Sequence, residues 1–278
     1  MYSADRRKFL DYTLSCLNDM PGYDNCQKTL VVDGRANYIP LGFNIIQVPR
    51  IKKQFSWANM WNAGVYSARY PKIIYLDADR LLPKSFIESA MQVQDNQFLF
   101  TSKHFHMLKD MEIESCKRFL EANMRSNIFV DDEFLGCFRY EPRFKDPQFG
   151  PGKNVMSGSV AFTRKTYHKL GGVDPWYLGH GAFADTDFHY LAAKNGCEFI
   201  DLNLPEIHCH HFKLDNTGEE INEVTLRRMG LDNFIYCCQK WSLPIVLAED
   251  LAVRCEIAQP SKYVEKKLKE LKNSPRNL

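Results

Sequence analysis

Two carboxylates, Asp77 and Asp79, directly follow the short apolar run at 72–76 and are separated by one small residue. The run is typical of a buried strand, and open α/β sheets bind ligands in the crevice beyond the carboxyl ends of such strands. A divalent cation held by few carboxylates and by phosphate oxygens is the usual way to neutralise a nucleotide diphosphate. The pattern therefore predicts a metal and diphosphate site, although Asp-x-Asp also recurs by chance in solvated turns.

A second pair of carboxylates, Asp185 and Asp187, follows a stretch rich in glycine and aromatic residues at 171–183. Such a stretch suits a loop that closes over a sugar or ring. Apolar residues after Asp185 recur at helical spacing, so Asp185 is predicted near a helix N-terminus, where a carboxylate is stabilised in its ionised form. It is a candidate base, and helix capping alone is the alternative.

Three histidines within four residues, His208, His210 and His211, come after a predicted strand at 198–202. Neutral imidazole is a common metal ligand, so this group is a candidate for metal binding. Zinc with Cys209 is a competing chemistry, but a closed zinc site needs about four ligands at recognisable spacings, and no second Cys/His pair supplies them. A solvated histidine-rich loop is the other alternative.

The elements that must position these residues alternate between helix and strand. The predicted helices lie at 9–20, 56–68, 83–93, 111–124, 164–170 and 185–194, and the predicted strands at 29–32, 43–48, 72–76, 97–102, 154–163 and 198–202. This alternation favours right-handed βαβ units and a parallel sheet. Residues 126–153, rich in Asp, Phe, Pro and Gly, are predicted to form a loop that lines or covers a cleft.

The first predicted helix has no strand before it, so residues 1–3 would be only the end of one. One interpretation is that the given sequence starts inside the first strand. The alternative is a fold that tolerates a short first strand.

Composition narrows the class of protein. The 278 residues, 45% hydrophobic and 25% charged, are typical of a folded protein of one or two domains. A net charge of +2 without a basic block gives no reason to expect nucleic acid. No apolar run in the given sequence approaches the length that spans a bilayer, and residues 1–7 do not have the apolar core expected of a signal peptide. Nine cysteines without a C-x-x-C pair favour reduced thiols, so we expect a cytoplasmic protein, either free or peripheral at a membrane. Reduced cysteines in a larger secreted fold are the alternative.

The order of the motifs resembles the GT-A fold glycosyltransferases, in particular the family two-like enzymes and the galactosyltransferase-like C-terminal region. The resemblance covers about residues 5–212 and rests on Asp33-Gly34, Asp77-Ala78-Asp79, the Gly-Gly-Val-Asp loop at 171–174, the Gly-x-Gly to Asp-x-Asp segment at 179–187 and a late histidine. It implies an α/β GT-A domain over 1–215, with a mainly parallel central sheet flanked by helices. Residues 216–278 would form a helical C-terminal extension.

The resemblance also implies an activity. The protein would be a metal-dependent hexosyltransferase that moves a sugar from a nucleotide-diphosphate donor, a UDP-sugar, to an acceptor hydroxyl with inversion. The acceptor would be a glycan, a lipid-linked glycan or a protein. A catalytically silent relative that binds sugar nucleotides or glycans is the alternative. A haloacid dehalogenase-like phosphatase is disfavoured, because its Asp-x-Asp motif usually sits at the first strand.

The donor site that the resemblance implies involves three residues. Asp33 would contact the uracil or ribose, and Asp77 would bind the nucleotide ribose or the metal. Asp79 would ligate Mn²⁺ or Mg²⁺ bridging the diphosphate. Apart from the resemblance, Trp176 and Tyr177 are candidates for stacking on a sugar face, although core aromatics need no such role.

Asp185 matches the catalytic base of inverting members of the family. His208 matches the late metal ligand, with His210 and His211 as substitutes. The chain departs from the family pattern at Ala184, which stands where the family commonly has a glutamate that helps hold the acceptor. This departure keeps the silent relative open as an alternative.

Overall fold

The computed structural model describes residues 4–33, 38–49, 56–124, 134, 136–140, 158–177, 183–209, 233, 236–237 and 240–241. Its helices are α1 (Ala4–Asn18), α2 (Trp57–Ser67), α3 (Phe86–Ala90), α4 (Ile113–Ala122), α5 (Arg164–Leu170) and α6 (Ala184–Lys194). Its strands are β1 (Thr29–Asp33), β2 (Asn44–Val48), β3 (Lys72–Leu76), β4 (Arg80–Leu81), β5 (Gln97–Phe100), β6 (Lys103–Met107), β7 (Phe138–Tyr140), β8 (Ser159–Thr163), β9 (Glu198–Asp201) and β10 (Pro205–His208).

The predicted helices and strands are all present within these ranges, and side-chain caps explain some of their ends. The Ser56 hydroxyl accepts a hydrogen bond from the Asn59 amide at the start of α2, and Thr163 does the same for Thr166 at the start of α5. These bonds satisfy amide groups that have no partner inside the helix. The prediction of a long helix at 83–93 was wrong in extent, since α3 has five residues.

The largest described sheet has the strand order β3-β8-β5-β9. The strands β3, β5 and β9 run in one direction, as expected, but β8 lies between β3 and β5 and is antiparallel to both. Three of the four strands of this sheet therefore share one direction, and β8 is the one strand among the described residues of the sheet that departs from the predicted parallel arrangement. The reversal brings the first residue of β8 opposite the last residue of β3.

A second sheet has the strand order β4-β10-β6-β7, and sequence patterns predicted none of its members. The strand β7 falls in the predicted loop at 126–153, which corrects that part of the prediction. These strands carry histidine, lysine, arginine or glutamate, and β4 and β7 are too short to show a period. In β6 and β10 an alternation of apolar and polar residues is present but spans only five and four residues. Tertiary pairing determines them instead, with β10 parallel to β6 and antiparallel to β4.

An aromatic column joins the helices to the largest sheet. Trp61 of α2 stacks on Tyr75 of β3, with ring centroids 4.0 Å apart and planes 7° apart. Phe188 of α6 contacts Trp61 from another side, with centroids 5.9 Å apart. Trp61 and Phe188 are almost completely buried, so burial of large aromatic surfaces holds α2 and α6 against the end of β3.

Parts of the predicted organisation lie outside the described residues. These parts are residues 1–3, His210, His211 and most of the predicted extension at 216–278. Within that extension, Asn233, Tyr236, Cys237 and Lys240 are helical. Within the described ranges, every helix is too short or too polar to cross a bilayer.

The loop after α5 depends on a glycine without room for a side chain. Gly172 has φ +80°, and an added Cβ would lie 2.7 Å from Asn62 Oδ1 and 2.7 Å from Tyr66 Oη. Asn62 cannot move away without cost, since its side chain donates to the Val173 carbonyl at 2.7 Å and accepts from the Val173 amide at 3.0 Å. Neighbouring Gly171 has a similar φ of +84° but open space around it.

We expect Gly172→Ala to lower the free energy of unfolding by about 3 kcal/mol or more, because backbone strain and overpacking add. The matched control, Gly171→Ala, carries the backbone strain alone and should lose about 1 kcal/mol. Urea unfolding of both variants measures the difference. Equal losses would contradict the close approach of Asn62 to this glycine.

Candidate metal and diphosphate site

The two carboxylates of the Asp-x-Asp motif lie on a turn at the carboxyl end of β3. The Asp77 amide donates to the Gly158 carbonyl at 3.4 Å, which continues the pairing with β8 by one residue. The Arg80 amide then donates to the Asp77 carbonyl at 3.3 Å, and the Asp79 carbonyl accepts from the Cys209 amide at 2.9 Å. The turn is therefore fixed at one side to the β3-β8 pair and at the other to the end of β10.

The structure brings together the two predicted metal ligands, Asp79 and His208. Their Oδ2 and Nε2 atoms are 3.7 Å apart, and about a fifth of each side chain is exposed. His208 reaches this position because it pairs with Arg80, the residue after Asp79, in the β10-β4 ladder. Two ligands that each lie about 2.1 Å from one ion are themselves about 3 to 4 Å apart, so this pair fits a shared divalent cation.

A buried guanidinium lies behind the carboxylates. Arg80 Nη1 donates to Glu206 Oε1 at 3.0 Å, and its other nitrogens lie 3.5 Å from Asp77 Oδ2 and 3.7 Å from Asp79 Oδ1. Thr101 Oγ1 donates to the second Glu206 oxygen at 3.1 Å. Among the described residues, three carboxylates surround one guanidinium, and a divalent cation would offset their excess negative charge.

The environment of Asp77 shifts its pKa. Burial raises the pKa of Asp77 to about 6, and the neighbouring Arg80 guanidinium opposes this rise. The hydroxyl of Tyr75 donates to the Asp77 carboxylate, and the Tyr75 ring is itself fixed by stacking on Trp61. Because 27% of the Asp77 side chain stays exposed, a ligand can reach the carboxylate, and a cation placed there would favour its ionised form.

Asp185 lies in the first turn of α6, as predicted, but it is not the N-cap residue. That position belongs to Phe183, which has φ 51° and makes no side-chain capping bond. The Asp185 Oδ1 atom accepts from the Thr186 amide at 2.9 Å, and its side chain is half-buried. The position at a helix N-terminus stabilises an ionised carboxylate.

Asp187 differs from Asp185 because its side chain is buried and both of its carboxylate oxygens accept hydrogen bonds. Its Oδ2 accepts from Lys240 Nζ at 2.9 Å, and its Oδ1 accepts from Trp241 Nε1 at 2.6 Å. Burial raises the pKa of Asp187, and these two donors oppose the rise. Asp187 therefore anchors α6, while Asp185 is the more accessible carboxylate of the pair.

Lys240 also anchors the loop that carries Trp176. The same ammonium donates to Asp174 Oδ2 at 2.9 Å, which also accepts from Tyr236 Oη at 2.9 Å. Burial would raise the pKa of Asp174, but the bonds from Lys240, the Trp176 amide and Tyr236 lower it overall. One cation thus ties the Asp174 loop to α6, and Trp176 remains 38% exposed on that loop.

Other predicted site residues are only partly described. Asp33 is the last residue of β1, as predicted, although the structure does not describe its side chain. His210 and His211, the substitutes for His208, lie outside the described residues. The roles of Asp33 and Trp176 in donor binding therefore stay predictions.

Sequence reasoning missed Arg80, Glu206, His104 and His106. His104 and His106 lie beside His208 on the parallel β6-β10 pair, with His106 directly opposite His208. A signal was available for them: in β6 the histidines alternate with Phe105 and Met107, which is the period of a strand with one apolar face. Arg80 and Glu206 carry no such signal, because a lone arginine or glutamate is usually exposed.

Carboxylates and imidazoles thus come together at the carboxyl end of a strand in an α/β fold. A site of this class is suited to a divalent cation. The sequence matches no family model and no curated protein. GalNAc-T7, solved with UDP, GalNAc and Mn²⁺, is similar in structure at a TM-score of 0.52 and 11% identity, over 94% of this chain and 54% of that one. The present chain therefore spans about half the length of GalNAc-T7.

Two further solved structures are similar at lower scores. One is the mannosyltransferase PcManGT from Pyrobaculum calidifontis in complex with GDP-Man and Mn²⁺, with a TM-score of 0.49 and 13% identity over 94% of this chain and 69% of that chain. The other is TarS from S. aureus in complex with UDP-GlcNAc, with a TM-score of 0.48 and 8% identity over 92% of this chain and 69% of that chain. The similarity to GalNAc-T7 confirms the expected fold: the chain has the GT-A fold of glycosyltransferases.

We expect Arg80→Met to lower the free energy of unfolding by about 3 to 5 kcal/mol, because it leaves Glu206 as an uncompensated buried charge. Adding Glu206→Gln should recover part of this lost stability, since the double variant has neither the positive charge of Arg80 nor the negative charge of Glu206. Denaturant unfolding of the two single variants and the double variant gives the coupling between them. Strictly additive losses would contradict a direct pairing of Arg80 with Glu206.

Proposed function

We propose that the protein is a metal-dependent glycosyltransferase that transfers a hexose from a nucleotide-diphosphate donor, a UDP-sugar, to an acceptor hydroxyl. The observation that carries this proposal is the approach of Asp79 and His208, 3.7 Å apart, at the carboxyl end of β3 in a GT-A fold. The catalytic domain would comprise residues 1–215, with 216–278 as a helical extension.

Asp79 and His208 would hold Mn²⁺ or Mg²⁺, and diphosphate oxygens would complete the coordination. Such an ion, when bound, stabilises the negative charge that develops on the departing nucleotide diphosphate. GalNAc-T7 was solved with both UDP and Mn²⁺, which supports a divalent ion and a nucleotide donor for the same fold here. Histidine and carboxylate together suit Mn²⁺ better than Mg²⁺, which prefers oxygen ligands.

The remaining donor contacts would come from Asp33, Asp77 and Trp176. Asp33 ends β1 and would contact the uracil or ribose, while Asp77 would bind the ribose or the metal. Trp176 is 38% exposed, so its ring is accessible for stacking on a sugar face.

Asp185 would act as the general base. Its position at the start of α6 favours the ionised form, and its half-buried side chain can accept the proton of an acceptor hydroxyl. In-line attack of that hydroxyl on the anomeric carbon would invert the configuration there. The aromatic contacts from Phe188 through Trp61 to Tyr75 connect the Asp185 helix to the strand that carries Asp77.

The acceptor would be a glycan, a lipid-linked glycan or a protein, and the enzyme would act in the cytoplasm, either free or peripheral at a membrane. The alternative function is a silent relative that binds sugar nucleotides or glycans. Ala184 favours this alternative, because it is completely buried and offers no side-chain group where the family has an acceptor-binding glutamate. Detection of sugar transfer, or of slow donor hydrolysis, would distinguish the enzyme from the silent relative.

We expect UDP to bind the purified protein in the presence of Mn²⁺ and to bind far more weakly without it, as measured by calorimetric titration. Asp79→Asn should abolish the dependence on Mn²⁺, because it removes a charged ligand of the ion. Asp24→Asn is the matched control, since this fully exposed aspartate is paired only with Lys28 among the described contacts. UDP binding that is equally tight with and without metal would contradict the proposed site.

We expect Asp185→Asn to reduce sugar transfer by about 100-fold or more, the usual contribution of a general base, while UDP binding stays unchanged. The asparagine keeps the size of the side chain but cannot accept the proton. Transfer is measured with a donor and acceptor found by screening, and UDP binding by calorimetry. Parallel loss of transfer and UDP binding would refute the role of Asp185 as base.

A further inference from the structure

Three histidines from two strands converge beside the candidate site. One ligand atom from each of His104, His106 and His208 can be chosen so that all three lie within 4.8 Å of one another. His106 and His208 are half-buried and His104 is buried, so an ion can approach from the side of the first two. This group includes two residues that the proposed function does not use.

The convergence follows from strand register. The strands β6 and β10 are parallel, with His106 opposite His208 and His104 opposite Glu206. Side chains two residues apart on a strand lie on the same face, so His104 and His106 share one face with Glu206 and His208. The rings are close, with centroids of His106 and His208 5.0 Å apart and those of His104 and His106 4.6 Å apart.

The negative charge of Glu206 next to the three histidines also favours a cation there. Glu206 is completely buried, and its Oε1 lies 3.8 Å from His104 Nε2. At this distance the carboxylate adds negative charge next to the imidazole without a hydrogen bond to it. Arg80 Nη1 donates to His104 Nε2, and the guanidinium charge is offset by Glu206, Asp77 and Asp79. An ion would therefore bind His104 through Nδ1, with loss of the proton there, or replace the Arg80 hydrogen bond at Nε2.

We propose that His104, His106 and His208 form a nitrogen-rich site for a borderline divalent ion of the Zn²⁺, Co²⁺ or Ni²⁺ type. Imidazole nitrogen favours these ions, whereas Mg²⁺ and Ca²⁺ prefer oxygen. Three protein ligands leave a fourth position open for water or another ligand. The site does not depend on the proposed transferase activity, because the imidazoles need no nucleotide to bind an ion.

The three-histidine site shares His208 with the proposed diphosphate site, where His208 and Asp79 would hold one ion. A borderline ion bound by all three histidines draws His208 away from an ion held by Asp79. Zn²⁺ should therefore weaken the Mn²⁺-dependent binding of UDP, and it should do so less when His106 is absent.

Titration of Co²⁺ into the metal-free protein tests the site, because nitrogen coordination of Co²⁺ gives visible absorption bands. Zn²⁺ is then added to displace the Co²⁺. We expect His106→Ala to lower Co²⁺ affinity by about 100-fold or more, exceeding the usual effect of losing an outer-shell partner. His106→Gln, which keeps more of the volume, should lose affinity similarly, and His168→Ala, at an exposed histidine of α5, is the matched control.

The variants separate this site from the proposed diphosphate site. His106→Ala should keep Mn²⁺-dependent UDP binding, Asp79→Asn should keep Co²⁺ binding, and His208→Ala should lose both. Circular dichroism and unfolding curves establish that each variant is folded. Co²⁺ affinity and spectrum that are unchanged in both His106 variants would overturn the three-histidine site, whatever the outcome of the UDP titration.

Discussion

The arrangement of the candidate site depends on the buried Arg80 guanidinium. It follows the Asp-x-Asp turn directly in sequence and pairs with Glu206, which lies 126 residues further along the chain. A guanidinium with 7% exposure is stable only when its charge is compensated, so Glu206, Asp77 and Asp79 must stay close to it. This requirement fixes the turn after β3 against β10.

The pairing of β10 transmits this constraint to the imidazoles. When β10 is in register with β4 and β6, His208 comes to Asp79 and also to His106. A shift of β10 by one residue would turn His208 to the opposite face of the sheet and separate both contacts. The same register therefore determines the ligand pair for the diphosphate metal and the group of three histidines.

A second cation, the half-buried Lys240, holds the other side of the candidate site. Lys240 pairs with Asp174 and Asp187, so a residue near the C-terminal end of the described chain connects the loop of Trp176 to the helix of Asp185. The aromatic column of Phe188, Trp61 and Tyr75 connects that helix to Asp77. Together these contacts link the proposed base, the proposed stacking residue and the metal-binding turn through residues that do no chemistry themselves.

The sequence by itself determined the helices, the strands with apolar runs, the position of Asp77 and Asp79 after β3 and the place of Asp185 in the first turn of α6. These features depend on local apolar periodicity, which neighbouring residues specify. The sequence did not determine burial, since every residue of β3, predicted as a buried strand, is only half-buried. Only the tertiary structure decided the reversed direction of β8, the short strands β4, β6, β7 and β10, the burial of Arg80 with Glu206 and the convergence of His104 and His106 on His208. The physical reason is that these features arise from pairing between segments far apart in the chain, where burial and charge compensation override weak local preferences.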